Sequence, residues 1–522
     1  MEPAVDYVHE AAKRLMGVDY LFPYQRLVVA NILEAAVAAG IGVEGAEDAR
    51  EDAGSMGRQI VILPTGAGKS LCFQLPALML DRPTLVIYPI LSLMSDQERR
   101  LRDRGFSPVV LRGGQDEAER EAAWRRLESG EARFAIANPE VLLAERTLRR
   151  LGSVGFAHLV VDEAHCVSEW GESFRPSYLR IAEILSACGA PLCTAFTATA
   201  SPPVLEKIDS YVFGPSRAAR IVGDPDRPNI RYEAVGTLLR DRTAADLAFS
   251  GERPAIVFCA SRARAERLAR SLRAERPDVG VRFYHAGLER AEKDAAERWF
   301  FGSADGILTA TCAYGMGVDK GNIRTVIHRD CPPSVEAYLQ ESGRAGRDGA
   351  PSRAVLLWGP EDLRLAELMG TGAGKDRIVA LMAYARDALR CRREALLELL
   401  GAECGCCSGC DVCDGRASAE YRERRSIRDF IERNGRRYLL SEAADRYARA
   451  AGGGWTEEDA RRALEQLRRE GDIRTCGRFL WKGALAAGRP GRSAAPKDAL
   501  APNPPARPPR SPDRAEGERA WS

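Results

Sequence analysis

The sequence predicts an α/β protein with two parallel-sheet lobes, then a helical cysteine-rich segment and a small domain of winged-helix type. Three observations predict it. Short β-branched apolar runs alternate with amphipathic stretches from about residue 58 to 205, and the alternation restarts after Asp226. Apolar runs without polar alternation belong to strands buried on both faces, as in parallel sheets. Finally, six of the 14 cysteines crowd between Cys391 and Cys413.

The chain has 522 residues, enough for three to four domains at roughly 150 residues each. Hydrophobic residues make up 45% and charged residues 29%, a globular balance that excludes collagen-like, coiled-coil and mostly disordered proteins. No apolar run approaches the roughly 20 residues of a membrane helix. The charged N-terminus has no apolar signal core. A cytoplasmic protein, nucleoid-associated if bacterial, is expected. The net charge of +2 hides an asymmetry: residues 44–52 are acidic, whereas Arg422, Arg424, Arg425, Arg428, Arg433, Arg436 and Arg437 cluster late in the chain. That cluster is either a solvated helix face or a nucleic-acid surface.

In the first lobe, residues 1–220, strands are expected at 60–63, 84–88, 135–137, 158–161 and 192–196. An acidic insertion at about 40–58 reads as mobile. The second lobe, 221–362, has strand runs at 255–259, 281–284, 306–309, 325–328 and 354–358, and the lobes join near 221–232. Residues 360–400 read as helical, and 363–415 form a helical, cysteine-rich subdomain. Helical stretches at 421–434, 441–450 and 456–470 and a hairpin at 472–482 make up the winged helix, 416–487. Beyond 488 a Pro- and Arg-rich tail has too few large apolar residues to fold.

The first chemical signal is Pro64-Thr65-Gly66-Ala67-Gly68-Lys69-Ser70 between a strand and a helix. Glycines let backbone N–H groups approach phosphates, Lys69 reaches the β/γ-phosphates and Ser70 ligates Mg²⁺. A similar string, Gly370-Thr371-Gly372-Ala373-Gly374-Lys375-Asp376, follows a helix and has Asp376 in place of the hydroxyl, so it reads as a glycine-rich link. The run 159–161 ends in Asp162-Glu163-Ala164-His165, placing one carboxylate to hold Mg²⁺ and a second to orient water. In the second lobe, Gln340-Glu341-Ser342-Gly343-Arg344-Ala345-Gly346-Arg347-Asp348 offers arginines that could cross a cleft to a γ-phosphate.

Together these strings resemble superfamily 2 helicases and, more narrowly, the RecQ family, from about residue 20 to 415. Further matching strings are Tyr88-Pro89-Ile90-Leu91-Ser92-Leu93-Met94-Ser95-Asp96-Gln97, Ala137-Asn138-Pro139-Glu140, Phe196-Thr197-Ala198-Thr199-Ala200, Asp226-Arg227-Pro228-Asn229-Ile230-Arg231-Tyr232, Tyr284-His285-Ala286-Gly287-Leu288 and Gly315-Met316-Gly317-Val318-Asp319-Lys320. The resemblance implies two RecA-like lobes and an ATP-driven 3′→5′ DNA helicase acting in recombination and repair. It implies that Gln25 reads adenine and that Thr65, Gly66, Ala67, Gly68, Lys69 and Ser70 hold the nucleotide. Lys69, Asp162, Glu163, Arg344 and Arg347 would carry the chemistry, with Ser70 and Asp162 on Mg²⁺. Thr197 and Thr199 would link that site to DNA, which Ser92, Trp170, Phe174 and Arg175 would meet in single-stranded or duplex form. The span 166–178, with Trp170, Phe174, Arg175 and Tyr178, reads either as a DNA-sensing loop or as a packed aromatic loop.

The resemblance also implies a structural Zn²⁺ site. Cys407, Cys410 and Cys413 are spaced two residues apart, and Cys391 opens Cys391-Arg392-Arg393 upstream. All five histidines lie at or before His328, so a local site is all-cysteine. Cys391, Cys407, Cys410 and Cys413 are the chosen ligands. A gap after Cys391 shorter than the family's keeps Cys404 and Cys406 open as alternatives. Other departures are Leu21-Phe22-Pro23-Tyr24 ahead of Gln25, where the family has Phe-Arg, Glu169 and Glu172 beside Trp170, and no C-terminal helical HRDC domain.

Overall fold

A computed structural model describes residues 7–45, 57–64, 66–169, 175–214, 218–223, 226–314, 320–368, 373–400, 402, 406–452, 455–476 and 483–488. The acidic insertion (46–56), the tail (489–522), Thr65, Trp170, Phe174, Glu172, Cys404 and the string 315–319 lie outside these residues.

Among the described residues the first lobe holds a seven-stranded sheet. Its strands are β1 (Arg58–Ile62), β2 (Thr84–Ile87), β3 (Val109–Leu111), β4 (Phe134–Ala137), β5 (His158–Val161), β6 (Leu192–Thr197) and β7 (Ala219–Val222). Their spatial order is β3-β4-β2-β5-β6-β1-β7, and every pairing is parallel. Helices cover both faces, so β2, β4, β5 and β6 are buried at every position, as their apolar runs require. One layer buries Val28, Phe73 and Phe196, the other Trp124, Tyr178 and Ile184.

The second lobe holds a six-stranded parallel sheet in the order β10-β11-β9-β12-β13-β8. Its strands are β8 (Ile230–Gly236), β9 (Ala255–Phe258), β10 (Val281–Tyr284), β11 (Ile307–Ala310), β12 (Thr325–His328) and β13 (Ser352–Trp358). The helices Pro360–Leu368, Ala373–Arg386 and Arg392–Leu399 follow, and Ala373, Gly374, Lys375 and Asp376 of the second glycine-lysine string form the first turn of the second helix rather than a link, the rest of the string lying outside the described residues.

The structure moves several expected boundaries. β7 belongs to the first sheet through Val222 and β8 to the second from Ile230, so the link shrinks to 223–229. β8 is an edge strand that alternates buried and half-buried residues, a pattern unlike the continuous runs of the inner strands. Residues 416–422 belong to the larger compact unit, which ends at Arg422. They are held there by the Gly236–Tyr421 bridge and by packing of Tyr421 on Trp358, centroids 5.3 Å apart.

A second compact unit begins at Glu423. It holds the helices Arg424–Arg433, Leu440–Ala451 and Glu457–Arg469 and an antiparallel ribbon of β14 (Ile473–Thr475) and β15 (Leu485–Ala487). The ribbon's second strand lies beyond the expected 472–482 hairpin. Ile427, Tyr447, Leu464 and Leu467 form its interior, and the Thr456 hydroxyl caps the third helix by accepting the Asp459 N–H at 3.1 Å.

Candidate nucleotide site and cysteine cluster

In the first sheet β6 lies between β1 and β5, with Ile62 opposite Thr197 and Val161 opposite Ala195. The phosphate loop and the Asp162-Glu163 pair therefore leave the same carboxyl edge on either side of Thr197. That edge is where parallel α/β sheets bind ligands. The helix Lys69–Met79 starts immediately after Gly68, and the Lys69 ammonium donates to the Leu63 carbonyl at 3.3 Å. Gly68 has φ +74°, and a Cβ there would lie 2.5 Å from Gln25 Nε2. The left-handed φ calls for glycine there, and any Cβ would displace the Gln25 amide. Gln25 Nε2 donates to the Ala67 carbonyl at 2.9 Å, and its Oε1 accepts the Phe22 N–H at 3.0 Å. Where the family has Phe-Arg, Phe22 stacks on Tyr24, with centroids 5.5 Å apart and an interplanar angle of 3°.

Asp162 is buried, and burial together with the Glu163 charge pushes its carboxyl up to about 7, against the pull of Lys69. Such a carboxylate favours a cation. Glu163 has φ +50°, and its Oε2 is buried without a hydrogen bond among the described residues. His165 Nδ1 lies 3.5 Å from that oxygen and 3.1 Å from the Thr197 hydroxyl, which donates to the Thr199 carbonyl at 2.8 Å. A polar chain thus runs from the acidic pair into the Thr197–Thr199 segment.

The second lobe presents its arginine loop to this edge. A Cβ on Gly66 would lie 3.7 Å from Arg347 Cγ. Arg344 is buried, with Nε and Nη1 making no hydrogen bond among the described residues. Burial, then the neighbouring Arg347, pulls its guanidinium down to about 10, and Glu163 opposes that from the first lobe. Ser201 donates across to Glu336 at 2.6 Å. Sequence reasoning gave Ser201 and Glu336 no part, and only proximity in the fold reveals them.

The expected nucleic-acid contacts divide. Ser92 is exposed in the first turn of the helix Leu91–Asp103. Arg175 donates to the Pro89 carbonyl and lies 3.7 Å from Glu140, so its guanidinium is drawn onto neighbouring loops.

The thiols of Cys391, Cys407, Cys410 and Cys413 all lie within 4.8 Å of one another, with Cys391 and Cys410 Sγ 4.0 Å apart. A tetrahedral Zn²⁺ with Zn–S near 2.3 Å needs sulfurs about 3.8 Å apart, so the four thiols fit zinc. Backbone donors reach the sulfurs: Gly409 N–H to Cys407 at 3.4 Å and Cys413 N–H to Cys410 at 3.3 Å. Burial raises the Cys410 thiol, but the Cys413 and Arg392 N–H groups and the neighbouring thiols lower it to about 7 overall. Cys406 is exposed and does not join the four. The cluster is stapled to β8: Asp411 N–H donates to the Tyr232 carbonyl at 3.2 Å and Ala234 N–H to Asp411 Oδ2 at 3.0 Å.

Comparison with known proteins places this arrangement. The DEAD/DEAH box helicase pattern matches residues 23–208 and the helicase conserved C-terminal domain residues 240–349. In three dimensions the chain is similar to the DUF1998 helicase MrfA bound to DNA (TM-score 0.54, 16% identical, 94% of this chain and 64% of that one). It is also similar to the DEAD-box helicase Mss116 bound to ssRNA and UDP-BeF (TM-score 0.53, 17% identical, 85% and 89% covered). Fold and patterns together define the class, a two-lobed helicase core. In sequence the chain is 36% identical over 372 residues to the ATP-dependent DNA helicase RecQ of Pasteurella multocida, covering 69% of this chain and 58% of the relative. It is 37% identical over 335 residues to the probable ATP-dependent DNA helicase RecS of Bacillus subtilis, covering 62% and 65%. The chain belongs to the RecQ family of superfamily 2 helicases. It spans 58% of the length of the Pasteurella relative.

Proposed function

We propose that this chain is an ATP-dependent DNA helicase that moves 3′→5′ along one strand and opens duplex or branched DNA in recombination and repair. The observation that carries the reading is the convergence on one sheet edge of Lys69, the Asp162-Glu163 pair and the buried, incompletely bonded Arg344, with Arg347 over Gly66. Cations and an acidic pair from two lobes suit phosphoryl transfer, where catalysis is positioning and charge stabilisation.

In this reading Gln25 reads adenine, with Phe22 and Tyr24 in place of the family's arginine. Residues 65–70 wrap the phosphates, and Ser70 and Asp162 hold Mg²⁺. The ion, when bound, would neutralise charge on the phosphate oxygens. Glu163 orients the attacking water, a role supported by its Oε2, which makes no hydrogen bond among the described residues. Arg344 and Arg347 meet the charge that develops on the transferred group. The polar chain through Thr197 and Thr199 links hydrolysis to strand movement. Trp170, Phe174 and Ser92 face single-stranded DNA, and Arg175 does so after release from Pro89. The four cysteines hold one structural Zn²⁺, which fastens the segment after Cys391 to the second lobe. The unit from Glu423 is read as a winged helix whose arginines add duplex contacts.

Support comes from the family. The deciding experiment is unwinding of tailed DNA duplexes of both polarities, with ATP and Mg²⁺, beside matched RNA duplexes. Opening of 3′-tailed DNA alone supports the proposal. Preference for RNA, or for the opposite tail, refutes it.

A further inference from the structure

One guanidinium in the stretch between β7 and β8 holds a loop of the second lobe and lies beside a loop of the first. Arg227 Nη1 donates to the Gly343 carbonyl at 3.1 Å, and Nη2 to the Ala345 and Gly346 carbonyls at 3.2 and 3.0 Å. These carbonyls bracket Arg344 and lead directly to Arg347. Asn229 Nδ2 reinforces the hold, donating to Gly346 and Ala350 carbonyls at 2.7 and 3.0 Å. Gly346 sits at φ +53°, and a Cβ there would lie 2.5 Å from that amide nitrogen. The same Arg227 faces the phosphate loop, because a Cβ on Gly66 would lie 4.0 Å from its Nη1.

The backbone carrying Arg227 is gripped from the cysteine cluster. Arg393, two residues after Cys391, is 1% exposed. Its Nη1 pairs with the Asp226 carboxylate and donates to the Arg227 carbonyl at 3.1 Å, and Nη2 donates to the Ile230 carbonyl at 2.6 Å. The Asp226 carboxylate also accepts the Arg227 N–H at 2.8 Å. The connection from thiol cluster to arginine loop is continuous.

We propose that Arg227 is a positioning residue for ATP hydrolysis: it shapes the loop that aims Arg344 and Arg347 at the γ-phosphate, and Arg393 ties that shape to the folded cysteine cluster. The proposal rests on the ATPase reading of the site. Two neighbouring guanidinium groups repel each other, so the loop carrying Arg344 and Arg347 needs a scaffold. A planar fork of fixed N–H donors supplies one by holding three carbonyls at once, which a lysine ammonium cannot reproduce. The effect should fall on ligands with a third phosphate, since the second lobe's arginines act there.

The test uses the full chain, with zinc content and Tm measured in parallel. Arg227→Lys and Arg227→Gln are compared with wild type in ATP hydrolysis with single-stranded DNA and in binding of fluorescent ADP and fluorescent AMP-PNP with Mg²⁺. Misplacement of a catalytic group by about 1 Å costs about 10²-fold in rate. We therefore expect kcat to fall about 10²-fold in both variants, with KM for ATP rising as triphosphate affinity is lost. The preference for AMP-PNP over ADP should be lost, while ADP affinity, zinc content and Tm hold. Arg393→Lys should give the same pattern more weakly. Wild-type kcat and nucleotide preference in Arg227→Lys would overturn the inference. So would ADP affinity, Tm and zinc falling together, which marks a packing role. A wild-type chain that neither hydrolyses ATP nor binds nucleotide would refute the site reading itself, and this inference with it.

Discussion

Replacing Asp411 by alanine removes one partner of a buried ion pair at the seam between the cysteine cluster and β8. Asp411 is 8% exposed and its partner Arg392 1%. Oδ1 accepts from Arg392 Nε at 2.9 Å and Oδ2 from Nη2 at 3.3 Å, and Oδ2 also accepts the Ala234 N–H. Without the carboxylate, Arg392 keeps, among the described residues, hydrogen bonds to the Tyr384 and Asp387 carbonyls. Breaking one side of a buried pair costs about 3–5 kcal/mol, and an orphaned backbone N–H about 1 kcal/mol. These terms overlap, so Asp411→Ala should destabilise the seam by about 4 kcal/mol, a large part of the roughly 5–15 kcal/mol that holds a domain folded. The assay is urea-induced zinc release into a chromophoric chelator. With a slope of about 1–3 kcal/mol per molar urea, the midpoint should fall by more than about 1 M. The paired replacement Arg392→Met with Asp411→Leu should recover much of the loss, because neither charge is then left alone. A single variant within about 1 kcal/mol of wild type, or a double variant no more stable than the single, would refute the argument.

Four further outcomes are expected. Lys69→Ala should nearly abolish ATP hydrolysis and unwinding while DNA binding persists, and near-normal turnover in that variant would sink the site assignment. Freshly prepared, unchelated protein should carry one zinc per chain and Cys410→Ser should lose it, with metal analysis as the check. His158 lies in β5, where burial holds its imidazole down to about 3 from an ordinary 6.5. Below about 6.5 the unfolded chain binds a proton that the native state refuses, so stability should fall as pH drops towards 3, and His158→Gln should flatten that slope; identical slopes by urea titration would contradict it. Trp170→Ala should keep basal ATP hydrolysis and lose most DNA stimulation, whereas equal loss of both rates would assign the loop to packing.

Much of this was legible because parallel sheets write themselves plainly. Runs such as 84–87 and 158–161 are buried on both faces and carry no polar alternation, and the motifs sit where those runs end. β3 was not legible because it is three residues long at a sheet edge, nor was β7, whose Arg220 interrupts the apolar run. β8 read as linker because one of its faces is half-buried beside the cysteine cluster. The four thiols could be chosen from spacing and resemblance, although only the fold separates Cys406 from them. Contacts such as Ser201–Glu336 and Arg227–Gly343 join residues 135 and 116 positions apart, which no local pattern records.

The left-handed backbone at Glu163 has a consequence for anyone engineering this chain. A residue with a side chain held in that region is disfavoured by roughly 1–2 kcal/mol, and glycine relieves it. Selection for thermal robustness alone would therefore favour Glu163→Gly, and under the proposed role it would collect well-folded motors that cannot turn over. Heat resistance and catalysis are opposed at this codon, so libraries built for stability should leave it untouched and seek their improvements elsewhere.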